Sequence, residues 1–289
     1  MATYKAIKGV KVQTKASDPT ASESVGTMWY NSTSPAALKY SSEGSGAWAS
    51  GGSMPVATTQ NGVFGTQTAA VSMGSDPVTA VTSEYNGTVW ALGNDSSTAR
   101  RNMAALGTLT AGICAGGVIA PSADNIAESY DGTSWTTIAT INSGRQGAGG
   151  GGTVTAAVIG AGRFSDAASS LCEEYNGTAW SEVNNLNNAR QNVSMGGTTQ
   201  ATSLCAGGGP PSVYLKAETY DATSWTEEAD LNTGRNEGGC SGYGTSEAFL
   251  VMCGDVGPVA TESFNGSAWT AVGDLATART RTRGAGTST

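Results

Sequence analysis

Five segments of the chain, SEYNGTVW, ESYDGTSW, EEYNGTAW, ETYDATSW and ESFNGSAW, repeat one another at near-constant spacing. They place an aromatic at Tyr85, Tyr130, Tyr175, Tyr220 and Phe264, with steps of 45, 45, 45 and 44 residues. Five residues after each stands a tryptophan: Trp90, Trp135, Trp180, Trp225 and Trp269. Ten residues further on stands an arginine: Arg100, Arg145, Arg190, Arg235 and Arg279. An upstream copy, LKYSSEGSGAW, has Tyr40 lying 45 residues before Tyr85 and Trp48 at a looser spacing. Six units of this period point to an array of small, mutually stacking supersecondary units.

Within one unit the pattern divides into four short extended pieces. Between Arg145 and Asn184 these are the small-residue run QGAGGGGT, the apolar TVTAAVIGAG, LCEEYNG and TAWSEV. Asn-Gly or Asp-Gly pairs (Asn86-Gly87, Asp131-Gly132, Asn176-Gly177, Asn265-Gly266) separate the last two pieces. A type I′ turn, with both central residues at positive φ, is expected there. Four antiparallel strands every 40–50 residues mark a propeller blade. The glycine-rich piece suits the innermost strand, where blades crowd the axis.

The order of arginine, small-residue strand, apolar strand ending in a glycine pair (AGICAGG, SLCAGGG), tyrosine and tryptophan resembles the kelch motif over about residues 25–289. The resemblance implies an all-β propeller, and the six units counted above make it six-bladed. The glycine doublet departs from the motif at Gly160-Ala161-Gly162, Gly254-Asp255 and Gly74-Ser75, where altered loops are expected. An Asp-box reading of SYDGTSW fails on spacing and on the arginine and glycine markers.

After Arg279 only Thr280–Thr289 remain, enough for one innermost strand. VGTMWYN, AALKYSS and GAWAS near the N-terminus supply a second, third and fourth. The expected ring therefore closes with a last blade of one C-terminal and three N-terminal strands, which removes two exposed edges. Five blades with a separate N-terminal module is the alternative, and it leaves residues 280–289 unpaired. The domain reading is a basic arm over 1–24, carrying Lys5, Lys8, Lys11 and Lys15, and a propeller over 25–289. The arm is read either as a solvated tail or as a strand that docks the propeller onto an assembly.

Residues 17–40, SDPTASESVGTMWYNSTSPAALKY, resemble a segment found near the start of bacteriophage tail and other virion structural proteins. The resemblance implies a virion location, with other virion proteins as partners through the arm and a host-surface glycan or protein as a further partner. A free-standing bacterial propeller, extracellular or cytoplasmic, that binds a glycan or protein is the alternative.

The chemistry allowed is narrow. No histidine is present, which excludes Ser-His-Asp and Cys-His systems as usually built, histidine metal sites and copper chemistry of the kelch-containing galactose oxidase kind. No catalytic residue, metal or cofactor is expected, and the chain reads as no enzyme. A net charge of −8 argues against nucleic acid as partner, and no apolar run is long enough for membrane insertion. Cys114, Cys172, Cys205, Cys240 and Cys253, without CxxC spacing, are expected as buried free thiols.

Two repeated charges remain as candidates. Glu128, Glu173, Glu218 and Glu262 hold equivalent places, which suits a repeated ion pair better than a catalytic dyad needing unlike environments. Arg100, Arg145, Arg190, Arg235 and Arg279 would ring one mouth of the channel, with Thr58 in the sixth place. Such a ring could hold a carboxylate, sulfate or acidic peptide. The other reading is that each arginine ties down loop carbonyls or pairs with a glutamate.

Overall fold

The computed structural model describes residues 48–119, 121–164 and 167–287, and the backbone of the strands at 13–15, 28–31 and 37–40. Residues 1–47 and 48–289 form two separate compact units. In the first, Met28–Asn31 pairs antiparallel with Ala37–Tyr40 and parallel with Gln13–Lys15. The remainder of the expected arm lies outside the described residues.

The second unit is an all-β propeller. Each complete blade is a four-stranded antiparallel sheet, and five are described. Blade 1 comprises Gly62–Thr66, Ala69–Met73, Thr82–Tyr85 and Trp90–Leu92. Blade 2 comprises Ala104–Thr108, Ala111–Ala115, Ala127–Tyr130 and Trp135–Ile138. Blade 3 comprises Gly149–Thr153, Ala156–Gly160, Cys172–Tyr175 and Trp180–Val183. Blade 4 is built from Ser194–Gly196, Ser203–Ala206, Ala217–Tyr220 and Trp225–Glu227. Blade 5 is built from Gly239–Cys240, Phe249–Met252, Thr261–Phe264 and Trp269–Ala271.

Inner strands lie against their neighbours across the axis, which is why they are made of small residues. A Cβ on Gly149 would stand 2.3 Å from the Cβ of Met195 in the next blade. Residues 282–287 take the same kind of position between blades 5 and 1: Gly286 N–H donates to Gly65 O (3.1 Å) and its carbonyl accepts from Tyr243 N–H (3.0 Å). Between blades 3 and 4 the matching contact is Gly152 N–H to Gly197 O, 2.9 Å.

The Tyr–Trp markers stack within each outer hairpin, with ring centroids 4.8–5.1 Å apart, the fifth pair being Phe264–Trp269. These rings cover the preceding blade. Tyr175 and Trp180 of blade 3 pack on Leu106, Ile113 and Ala115 of blade 2, and Tyr220 and Trp225 of blade 4 on Val158, Cys172 and Leu186 of blade 3.

Two local expectations are corrected. The outer hairpin turn is not type I′: of its Asn-Gly and Asp-Gly pairs only the glycine has positive φ, 87–93°. The preceding Asn or Asp folds its side chain over the turn instead, as Asp131 does in accepting the N–H groups of Thr133 (2.8 Å) and Ser134 (2.7 Å) through Oδ1. That side-chain bond replaces the second left-handed residue. The doublet after the second strand is in register in blade 5 as Cys253-Gly254 rather than Gly254-Asp255, and in blade 3 as Ala161-Gly162, all with positive φ. The second residue of the doublet gives its N–H to the carbonyl of the next blade's arginine, as Gly117 does to Arg145 O (2.8 Å) and Gly162 to Arg190 O (2.8 Å).

In blade 4 the turn glycine is replaced by Ala222, held at φ 70°. A left-handed residue with a Cβ costs about 1–2 kcal/mol. Ala222→Gly is therefore expected to raise the unfolding free energy by about 1 kcal/mol, read as a higher urea midpoint at unchanged slope. A lower midpoint would show that the alanine methyl contributes more by packing than it costs in the backbone.

Candidate functional site

The expected arginine ring resolves into two kinds of residue. Arg100, Arg145, Arg190 and Arg235 are 0–2% exposed. Each turns inward from the segment joining two blades and lays its guanidinium along the third strand of the blade it opens. Nη2 of Arg100 meets Glu128 Oε2 at 2.7 Å, that of Arg145 meets Glu173 Oε1 at 2.5 Å, and that of Arg235 meets Glu262 Oε1 at 2.8 Å. Arg190 pairs with Glu218 in the same way. Nη1 goes to a main-chain carbonyl two residues before the glutamate: Ile126 (2.6 Å), Leu171 (2.6 Å), Lys216 (2.7 Å) and Ala260 (2.7 Å).

The glutamates are fully enclosed by donors. Besides Arg235, Glu262 accepts from Asn232 N–H (2.7 Å), Asn232 Nδ2 (2.9 Å) and Thr233 N–H (3.0 Å). Asn142 and Asn187 repeat this role towards Glu173 and Glu218. Glu128 takes Ser97 N–H (2.8 Å) beside its arginine, so each of the four carboxylates is used within the fold. These four pairs fasten each inter-blade connection to the blade that follows, and none of the four guanidinium groups faces a solute. These asparagines are not among the residues expected from sequence, although the repeated INSGR, LNNAR and LNTGR carry their signal.

Arg279 differs. Its backbone is placed like the others, N–H to Pro258 O at 2.8 Å, yet its side chain is exposed and carries no ion pair among the described residues. The anion-holding ring of five expected from sequence is thus reduced to this one exposed member.

Two residues after each ring position lies a second set, unforeseen from sequence: Gln60, Asn102, Gly147, Asn192, Glu237 and Arg281, with φ of 53–68°. They form a collar of backbone hydrogen bonds around one mouth of the channel, from Asn102 N–H to Gln60 O (2.6 Å), Gly147 to Asn102 (2.8 Å), Asn192 to Gly147 (2.7 Å) and Glu237 to Asn192 (3.1 Å). Arg281 Nε closes on Glu237 Oε2 at 3.0 Å. The collar is polar, nearly neutral and tied to itself.

Two phenols make a further cross-blade bond. Tyr130 donates to Glu84, and Tyr220 to Glu174 at 2.9 Å. Burial, then the glutamate, pushes both phenols above their ordinary range. Where the preceding blade has Thr219 instead of a glutamate, the tyrosine itself becomes Phe264.

All five cysteines are free and buried. Burial pushes the thiols of Cys114, Cys205 and Cys240 up to about 12 and that of Cys172 to about 11. As the thiolate is the reactive form, an aromatic disulfide reagent at pH 8 is expected to label no cysteine of the folded chain and all five once denaturant is added. Rapid labelling of even one equivalent in the native protein would mark a blade that opens.

Among the described residues no group of three or more acidic or cysteine side chains is placed to hold a metal, and no helix is long and apolar enough to cross a membrane. No protein-family model matches this chain, and no curated protein matches its sequence.

Proposed function

We propose that the chain is a non-enzymatic, six-bladed, kelch-like propeller of a virion, mounted on a phage tail or capsid surface by its N-terminal arm for host-surface adhesion or assembly docking. The observation that carries the non-catalytic part is the use of the repeated charges: the Arg–Glu pairs at Glu128, Glu173, Glu218 and Glu262 are buried and serve the joints between blades. The virion part rests on the resemblance of residues 17–40 to virion structural proteins.

Six blades account for two features of the described chain. Residues 282–287 run as irregular chain in the place of an inner strand, Gly286 bonding to Gly65 and Tyr243. Trp48 Nε1 donates to Thr261 Oγ1 of blade 5 (3.3 Å), as Trp135 of blade 2 donates to Thr82 Oγ1 of blade 1 (3.0 Å). Trp48 thus stands where the outer tryptophan of a sixth blade belongs. In this reading the antiparallel pair Met28–Asn31 and Ala37–Tyr40 supplies its second and third strands.

Mass spectrometry of purified particles tests the location. The chain is expected among the structural proteins at stoichiometric amounts, and a version lacking residues 1–24 is expected to be lost from particles while remaining folded. Absence of the full chain from particles, with recovery from the host's soluble fraction, would overturn the reading in favour of a free-standing propeller.

A further inference from the structure

We propose that Asn86, Asn176 and Asn265, at the outer hairpin turns of blades 1, 3 and 5, are covalent modification sites at which the folded chain converts asparagine to aspartate and isoaspartate. These sites are independent of the virion reading.

The chain holds four Asn-Gly pairs, and the fold treats them in two ways. Asn86-Gly87, Asn176-Gly177 and Asn265-Gly266 lie in turns whose asparagines are exposed and whose glycines have φ of 87–90°. The glycine has no Cβ to shield its nitrogen, and its N–H donates to no main-chain carbonyl among the described residues. Asn61-Gly62 is the fourth pair. Asn61 is buried, its Nδ2 donates to Ser72 Oγ at 2.7 Å, and Gly62 begins the inner strand of blade 1.

Each turn holds the asparagine in a form suited to ring closure. Asn86 Oδ1 accepts from the N–H groups of Thr88 and Val89, both at 3.0 Å. Asn176 accepts from Thr178 (2.9 Å) and Ala179 (3.0 Å), and Asn265 from Ser267 (3.0 Å) and Ala268 (2.9 Å). These bonds bend the side chain back over the peptide that joins asparagine to glycine. The glycine nitrogen gives its proton to hydroxide and bonds to Cγ, and the carbonyl electron pair moves onto Oδ1. The two N–H groups already point at that oxygen, as donors do in an oxyanion hole. Nδ2 then takes a proton from water and leaves as ammonia, which closes a five-membered succinimide. Water opens this ring at either carbonyl, giving aspartate or isoaspartate, and no other reagent is consumed.

The aspartate product suits the turn. Blades 2 and 4 already carry Asp131 and Asp221 at the same place, where Oδ1 takes the equivalent pair of N–H groups at 2.7–2.8 Å. Those amides hold both carboxyls below the ordinary aspartate range.

Peptide mapping by mass spectrometry over a time course at pH 8 and 37 °C tests this, on the full chain kept folded and on a second sample in urea. In the folded sample the three turn asparagines are expected to convert at least about ten times faster than Asn61, and in urea the four rates are expected to converge. Gly177→Ala, a change for which Ala222 in the turn of blade 4 is the precedent, is expected to slow conversion at Asn176 by about tenfold or more while Asn86 and Asn265 keep their rates. Turn asparagines that persist in the folded chain but convert in urea would overturn the proposal. So would an Asn61 that converts as fast as they do under folding conditions, or an unchanged rate at Asn176 beside alanine.

Discussion

Glu262→Gln is expected to lower the unfolding free energy of the propeller by about 3–5 kcal/mol, the range for removing one partner of a buried ion pair. The carboxylate is 1% exposed and holds Arg235, Asn232 and the backbone of Thr233 together. Glutamine keeps the shape but leaves Arg235 buried without a counter-charge. Its amide nitrogen also has to face a donor, either the guanidinium or the Asn232–Thr233 edge. For a unit of this size such a loss lowers Tm by about 10 °C. The double variant Arg235→Met, Glu262→Leu removes the charge problem but is not expected to restore the parent midpoint, because the Asn232 and Thr233 N–H groups stay buried and unpaired. Glu227→Gln, an exposed position whose side chain accepts from Asn188, is the control and should stay within about 0.5 kcal/mol. A loss below about 1 kcal/mol for Glu262→Gln, measured by urea unfolding, would mean the pair is solvated and does not hold the joint.

The role of this pair was half legible in the sequence. Arginine and glutamate stand 28 residues apart in three blades and 27 in the fourth (Arg235 to Glu262), and that constant separation is the signal that they meet. In blade 1 both change together, to Thr58 and Ser83. Which way the arginine turns is not written in the spacing. An arginine at the start of an inner strand can face the channel mouth or fold back over its own blade, and the second course is taken because the carbonyls of Ile126, Leu171, Lys216 and Ala260, just before the third strand, have a lone pair for its Nη1. The blade itself was easier to read. Tyr175 and Trp180 fall opposite each other in the outer hairpin because they stand five positions apart across a four-residue turn. The turn type was misread because an Asn-Gly pair suits both a two-residue I′ turn and a longer one closed by the Asn side chain. The collar was harder still. Gln, Asn, Gly, Asn, Glu and Arg share no residue type, only a backbone conformation imposed by crowding at the axis, so a search for repeated letters passes over them.

Truncation after Arg279 is expected to have the largest effect of all, the loss of a cooperatively folded monomer. The ten residues removed hold the sixth inner segment. With it go the Gly286 bonds to Gly65 and Tyr243, and the bridge from Arg283 to Asn102 across the axis. Blades 5 and 1 would then face each other across an empty sector, exposing Cys240 and Gly242 on one side and Val63 on the other, residues that otherwise line the closed axis. A propeller holds together because each blade is covered on both faces, so opening one sector uncovers the apolar sides of two blades and the unpaired backbone along them. The truncated chain should elute as aggregate in size-exclusion chromatography and lose the sharp urea transition of the parent. Removal of residues 1–12 is the contrasting case. It deletes lysine-bearing sequence outside the repeat and should leave the unfolding free energy within about 0.5 kcal/mol. If the chain cut after Arg279 instead unfolded at the parent midpoint, five blades alone would be a closed, self-sufficient ring, and neither the C-terminal segment nor the N-terminal strands would be needed to complete it.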